Sequence, residues 1–139
     1  MTSGKKQVGH TTSQGWEIGI RRTFTMEAHQ AWEMLFTQPV LSSWLDDKAD
    51  LPFEKGSTYT NKTGITILVS SVTTGKVIRM KWQQSGDPQT STLQIRIIPA
   101  KEKTTISFHH EWLKNEQERD LMKGYWSRVL DEISRQLNA

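Results

Sequence analysis

In GWEIGIRRTF, the residues Trp16, Ile18, Ile20, Arg22 and Phe24 fall on one face and Glu17, Gly19, Arg21 and Thr23 on the other. That period of two is the pattern of a strand with one covered face. The period then lengthens. Ala28, Ala31, Trp32 and Leu35 recur at helical spacing behind Thr25, an N-cap residue type. Pro39 suits the first turn of a second short helix that packs Leu41, Trp44 and Leu45 inward. The stretch DDKADLPFEKGS after it reads as a loop or edge connection. From there the period is two again. STYTN, KTGITILVSSV, TTGKVIRMKW, TLQIRII and TTISFHHEWL are separated by turns at Gly64, Gly75, QQSGDPQTS and PAKEK, the layout of an antiparallel meander. Ile78, Met80 and Trp82 share a face, as do Leu93, Ile95 and Ile97. Residues 115–139 predict one long helix. Its apolar stripe is Leu121, Met122, Tyr125, Trp126, Val129, Leu130, Ile133 and Leu137. Asn115 is the expected cap, with Glu118 three positions later in a capping-box arrangement, and Glu116 and Glu118 suit the dipole at the helix start. Gly124 marks either a close approach to the sheet or a kink.

This order of elements predicts an α+β fold. A curved antiparallel sheet of about six strands carries the long C-terminal helix over its apolar face, with two short helices after the first strand. A sheet curled around a helix leaves an apolar cavity between the two, the usual place for a ligand.

Length and composition narrow this picture. At 139 residues the chain is one domain with a modest core. Hydrophobic residues make up 35%, including six Trp, which marks a globular chain rather than a disordered one. The absence of cysteine excludes a disulfide scaffold, a thiolate nucleophile and a Cys-based zinc site. The net charge is +3, but basic residues are scattered among acidic ones, with Lys5–Lys6 and Arg21–Arg22 the only doublets. No basic stripe or recognition motif points to nucleic acid. No apolar run is long enough to span a bilayer, and MTSGKKQVGHTTSQG lacks the apolar segment of a secretory signal. The expectation is a flexible polar tail over 1–14, a single domain over 15–139, and a cytoplasmic location.

The most chemically suggestive stretch is SFHHEWL. A zinc protease needs His at i and i+4 of a helix, whereas here Lys114 stands four residues after His110 and the segment reads as a strand. Adjacent strand residues face opposite ways, so His109 and His110 cannot share one metal. No metal and no cofactor are expected. Parity places Ile106, Phe108, His110 and Trp112 toward the helix, and His109 and Glu111 in a solvated cross-strand neighbourhood. His110 is then either a hydrogen-bonded core histidine or a polar anchor for a ligand. Arg22, on the inner face of the first strand, needs an acidic partner, snorkels to the rim, or clamps a ligand carboxylate. Trp82 and Trp112 have the size and the N–H for a cavity wall. Tyr59, Met80, Met122 and Tyr125 complete the candidate ligand-binding set. No nucleophile elbow, phosphate loop or dinucleotide fingerprint is present, and no catalytic residue is assigned.

GWEIGIRRTF, AWEMLFTQPVLSSWL, YTNKTG, ISFHHEWL and MKGYWSRVLDEI, in this order and spacing, resemble the helix-grip superfamily that includes START and Bet v 1-like domains. Within it, the chain is most similar to bacterial proteins related to the C-terminal domain of the activator of Hsp90 ATPase, over roughly residues 15–138. Two departures stand out. Members commonly carry WLG where this chain has Trp44-Leu45-Asp46-Asp47, and 139 residues leave no room for the separate chaperone-contacting domain of the eukaryotic activator. The resemblance implies a helix-grip fold with a central cavity, and hence non-catalytic binding of a small hydrophobic or aromatic molecule. Two alternatives are a cochaperone-like interaction module using the surface around Pro39–Leu51, and a cyclase- or hydrolase-like enzyme using His110. Either a monomer or a homodimer is compatible with it.

Overall fold

The computed structural model describes residues 10–11, 15–47 and 53–138. The elements run β1 (His10–Thr11), β2 (Gly15–Phe24), α1 (Ala28–Leu35), α2 (Val40–Trp44), β3 (Thr58–Thr60), β4 (Thr66–Thr73), β5 (Val77–Gln83), β6 (Ser91–Ala100), β7 (Lys103–Leu113) and α3 (Glu116–Leu137). All strands join one antiparallel sheet in the order β1-β2-β7-β6-β5-β4-β3. The six longer strands are those the alternation predicts. The addition is the two-residue β1, which pairs His10 with Trp16 and Thr11 with Gly15 inside the stretch expected to be a loose tail. The rest of that tail, and Lys48–Pro52 of the loop after α2, lie outside the described residues.

Hydrophobic burial places the layers. The inner face of the sheet presents Ile18, Ile67, Ile78, Met80, Trp82, Leu93, Ile95, Ile106 and Phe108, each at most 7% exposed. α3 covers this face with Met122, Trp126, Val129, Leu130 and Ile133. α1 and α2 close one end, with Ala31, Leu35, Val40, Leu41 and Trp44 buried. The indole N–H of Trp44 donates to the Leu35 carbonyl at 2.8 Å and ties the two short helices together.

Four local expectations change. The cap of α1 is Glu27, not Thr25, and Gln30 Oε1 accepts from the Glu27 N–H at 3.1 Å. Met26 is tucked into the core and its carbonyl accepts from Thr104 Oγ1 at 2.8 Å, which pulls residues 25–26 out of the helix. The stripe of α3 is narrower than predicted. Leu121 is 60% and Leu137 38% exposed, because both sit on the margins of the buried face. Gly124 makes no close approach to the sheet: a Cβ there would meet only Arg128 Nη1, at 3.4 Å. The Asn115 cap holds, accepting from the Glu118 N–H at 2.8 Å. Glu118 returns the bond to the Lys114 N–H at 2.9 Å rather than to that of Asn115.

Candidate functional site

His110 sits opposite Ile18 on β2 and Leu93 on β6, with no exposed surface. Both ring nitrogens are engaged. Trp126 Nε1–H donates to Nδ1 at 3.1 Å, so Nδ1 carries no proton. Nε2–H therefore donates to Ser91 Oγ at 2.7 Å, and the Ser91 hydroxyl hands its own proton to the Trp82 carbonyl at 3.2 Å. Each donor in this chain meets one acceptor, and the imidazole is neutral. Burial pushes its pKa down to about 3, with the charge of His109 adding to the effect. In this geometry His110 keeps no free lone pair or proton for acid–base work, and its ring is a built part of the core.

Of the residues expected to join it, Trp82 and Tyr125 do. Trp82 lies edge-on to His110, Tyr125 and Trp126, with centroids 5.8, 5.9 and 5.3 Å away. Tyr125 donates to the Trp44 carbonyl at 2.6 Å, locking α3 onto α2, and burial pushes its hydroxyl up to about 12 despite nearby Arg128. Met80 and Met122 are buried core residues, and Met122 Sδ also accepts from Gln84 Nε2 at 3.4 Å.

Arg22 is not part of this group. It reaches the rim and pairs with Asp131 at 2.9 Å on α3, side chain 36% exposed. Tyr59 is not part of it either. Its hydroxyl lies 2.9 and 3.0 Å from the two carboxylate oxygens of Asp46. Burial first, then the bond to Asp46 and the charges of Asp46 and Asp47, raise its pKa. Asp46, at the position where relatives were expected to carry the glycine of WLG, is 4% exposed and also accepts from the Lys62 N–H at 3.2 Å. Asp46→Ala strands both donors and is expected to cost about 1–3 kcal/mol, read as a lower urea midpoint.

Trp112 is the clear correction. It was expected beside His110 on the inner face, but it is 51% exposed. Trp16 pairs with Leu113 and Ile18 with His110, so Glu17 alone opposes both Glu111 and Trp112, and the strand is bulged there. The extra residue turns Leu113 inward and Trp112 outward, and Trp112 takes φ +61°. Gly15 lies against it, itself at φ +64°, where an added Cβ would come within 3.2 Å of the Trp112 ring. Glu111 is not solvated as expected but 7% exposed, 3.8 Å from His109 and 4.0 Å from Arg79. His109 faces the other side from His110, as parity requires, and meets Glu17 at 2.7 Å. Among the described residues no group of three His, Cys, Asp or Glu is placed to hold a metal ion.

The interior beside His110 is filled: Trp82, Phe108, Met122 and Trp126 are each at most 1% exposed. Open volume lies instead at the surface, between α1 and the β6–β7 turn, beside the α1–α2 junction, and at the N-terminal end of α3. A groove of about 630 Å³ runs between the β5–β6 loop and the start of the helix, lined by Gln84, Asp87, Lys114, Asn115, Glu118 and Leu121 among others. The Lys114–Asp87 ion pair, at 2.9 Å, straps its two walls together. The Gln89 N–H and Lys114 hold the Asp87 carboxyl below its ordinary range, and Asp87 in turn raises Lys114. Sequence reading treated QQSGDPQTS as a turn and missed this groove. It missed Ser91 too, although Ser91 precedes Leu93 by two and so shares its inward face.

A meander closed by one long helix, with a groove at the mouth between them, defines a helix-grip protein. A sequence model of the Activator of Hsp90 ATPase homolog 1-like proteins matches residues 25–138, and the chain belongs to that family. Among solved structures it resembles CalU16 from Micromonospora echinospora, with a TM-score of 0.72 and 19% identity over 87% of this chain and 76% of that one. An HSP90 activator from Plasmodium falciparum matches with a TM-score of 0.71 and 18% identity over 89% and 97% of the two chains. The Aha1 dimer from Colwellia psychrerythraea gives 0.67 and 18%, over 84% and 92%. Identities this low speak for the fold. No curated protein matches significantly. Among the described residues no helix is long and apolar enough to cross a membrane.

Proposed function

We propose that this protein binds a small hydrophobic or aromatic molecule without transforming it, in the groove between the β5–β6 loop and the first turns of α3. The observation that carries the reading is the groove itself. Its volume of about 630 Å³ falls in the range of roughly 300–1,000 Å³ usual for small-molecule sites. Its rim carries Leu121, a large apolar side chain that folding leaves 60% exposed. The expectation of a ligand between sheet and helix is thereby moved to the open end of that interface, because Trp126 and its neighbours fill the middle. The interaction-module alternative finds less support. Val40, Leu41, Trp44 and Leu45 of the Pro39–Leu51 region are all buried, leaving no apolar patch among its described residues, and residues 48–51 lie outside them.

Native mass spectrometry of gently purified protein is expected to show a retained small molecule. Leu121→Glu, an exposed change expected to alter stability by no more than about 0.5 kcal/mol, should lower that retention about tenfold. Full occupancy in the Leu121→Glu protein, or no retained mass together with no groove response to added small aromatics in NMR titration, would overturn the reading.

A further inference from the structure

The Trp82 side chain, 1% exposed, carries an indole N–H with no hydrogen-bond partner in the protein. Leaving such a donor buried and unpaired is costly, and buried polar groups are paired with few exceptions. Its surroundings offer an explanation. Trp82, Gln84, Gln89, Ser91 and Trp112 line a void with about 10 Å³ open to the centre of a water molecule, the space one water needs. The void and the groove share four wall residues, Gln84, Asp87, Lys114 and Glu118, so the two spaces adjoin and the Trp82 side chain lines the inner one. Trp112 stands over the same void, half-exposed and held at positive φ by the β7 bulge. A tryptophan in the left-handed region is strained, and residues so held cluster at binding sites.

Building on the groove as a ligand site, we infer that the Trp82 indole N–H is its inner anchor and selects a planar, apolar ligand bearing a neutral acceptor, a carbonyl oxygen or a ring nitrogen. The acceptor takes the place of a single bridging water, while the flat body of the ligand lies along Trp112 and Leu121. Neutrality follows from the walls. Asp87 and Glu118 line both spaces, and Lys114, the cation in both linings, is already paired with Asp87 at 2.9 Å. A buried anion would meet repulsion and lose its hydration without a free counter-charge, whereas a neutral acceptor receives one bond that the fold otherwise leaves unmade.

Quinoline and naphthalene share a shape and differ by one ring nitrogen, which makes them suitable probes at neutral pH. In ¹⁵N-labelled full-length protein, both should perturb backbone amides in Gln84–Asp87 and Lys114–Leu121. Only quinoline should shift the Trp82 indole cross-peak, and it should bind about tenfold more tightly. Trp82→Phe, which keeps a ring and removes the N–H, should bring quinoline down to the affinity of naphthalene. If that variant does not fold, the indole response of the wild-type protein decides alone. Groove shifts of equal size from the two probes, with the Trp82 indole unmoved, would overturn the anchor and leave the groove reading standing. No groove shift from either probe would overturn both.

Discussion

Acidification from pH 7 toward pH 4 should destabilise this protein more steeply than the same protein with His110 replaced by Asn. The folded pKa of His110 is pushed from 6.5 down to about 3, so between those values the unfolded chain takes up a proton that the folded chain refuses. Stability from this group is complete above pH 6.5 and is lost as the pH falls. The loss amounts to about 2 kcal/mol near pH 5 and on the order of 4 kcal/mol near pH 3. In His110→Asn the amide oxygen takes the place of Nδ1 as acceptor for Trp126, but the side chain is too short to serve Ser91. The variant should therefore be about 1–3 kcal/mol less stable at pH 7 and lack the acid-side loss. Carboxylates titrate in both proteins, so the difference between their urea midpoints isolates the histidine. The gap between the two stability curves should close and then reverse as the pH drops from 7 to 4, where the loss from the histidine reaches about 3 kcal/mol. A gap that stays constant over that range would mean that His110 is not a buried neutral ring bonded at both nitrogens.

That network also shows what was legible in the sequence. Strand parity alone separated His109 from His110 and turned Ile78, Met80 and Trp82 the same way as Leu93 and Ile95. All of these hold, because a period of two survives wherever the ladder is regular. It fails at a bulge. Nothing in HHEWL announces that Glu17 will oppose two residues, and one extra residue moves every later side chain to the other face. Leu113 inside and Trp112 outside follow from that single insertion. The neighbouring Gly15 is its faint trace in the sequence, since a side chain there would press on the Trp112 ring.

The groove was invisible for a different reason. Its walls come from a loop and a helix start whose strap, Asp87 to Lys114, spans 27 positions. Turn-forming residues say that the chain reverses in QQSGDPQTS, not where the loop comes to rest. Ser91, by contrast, was within reach. It lies two residues before Leu93 and beside the turn, and a buried histidine on the next strand needs a hydroxyl or carbonyl partner. Trp126 was assigned to the core on its helical spacing, which is correct, but spacing does not reveal that its N–H closes the proton chain through His110.

Trp126→Ala should have the largest stability effect of any substitution considered, and its repair should distinguish packing from hydrogen bonding. Trp126 stacks on Phe108 with centroids 4.7 Å apart, stands edge-on to Trp82 at 5.3 Å and Tyr125 at 4.9 Å, and donates to His110 Nδ1. Truncation should cost about 3–5 kcal/mol for the lost packing and the cavity, and a further 1–3 kcal/mol for the unpaired ring nitrogen unless water enters. The hole would be apolar except at His110 Nδ1 and the size of an indole. Added indole should therefore raise the melting temperature of the variant, whereas wild-type protein, with this space already filled, should show no such binding in its core. Naphthalene matches indole in bulk but offers no N–H. It should restore less stability, by roughly the value of one hydrogen bond, about 1 kcal/mol. Equal rescue by the two molecules would mean that Trp126 acts through volume alone and that the His110 chain contributes little. Rescue by neither would mean that the groove does not open onto the core. In that case the void below Trp82, rather than the space left by Trp126, would mark the inner limit of any ligand.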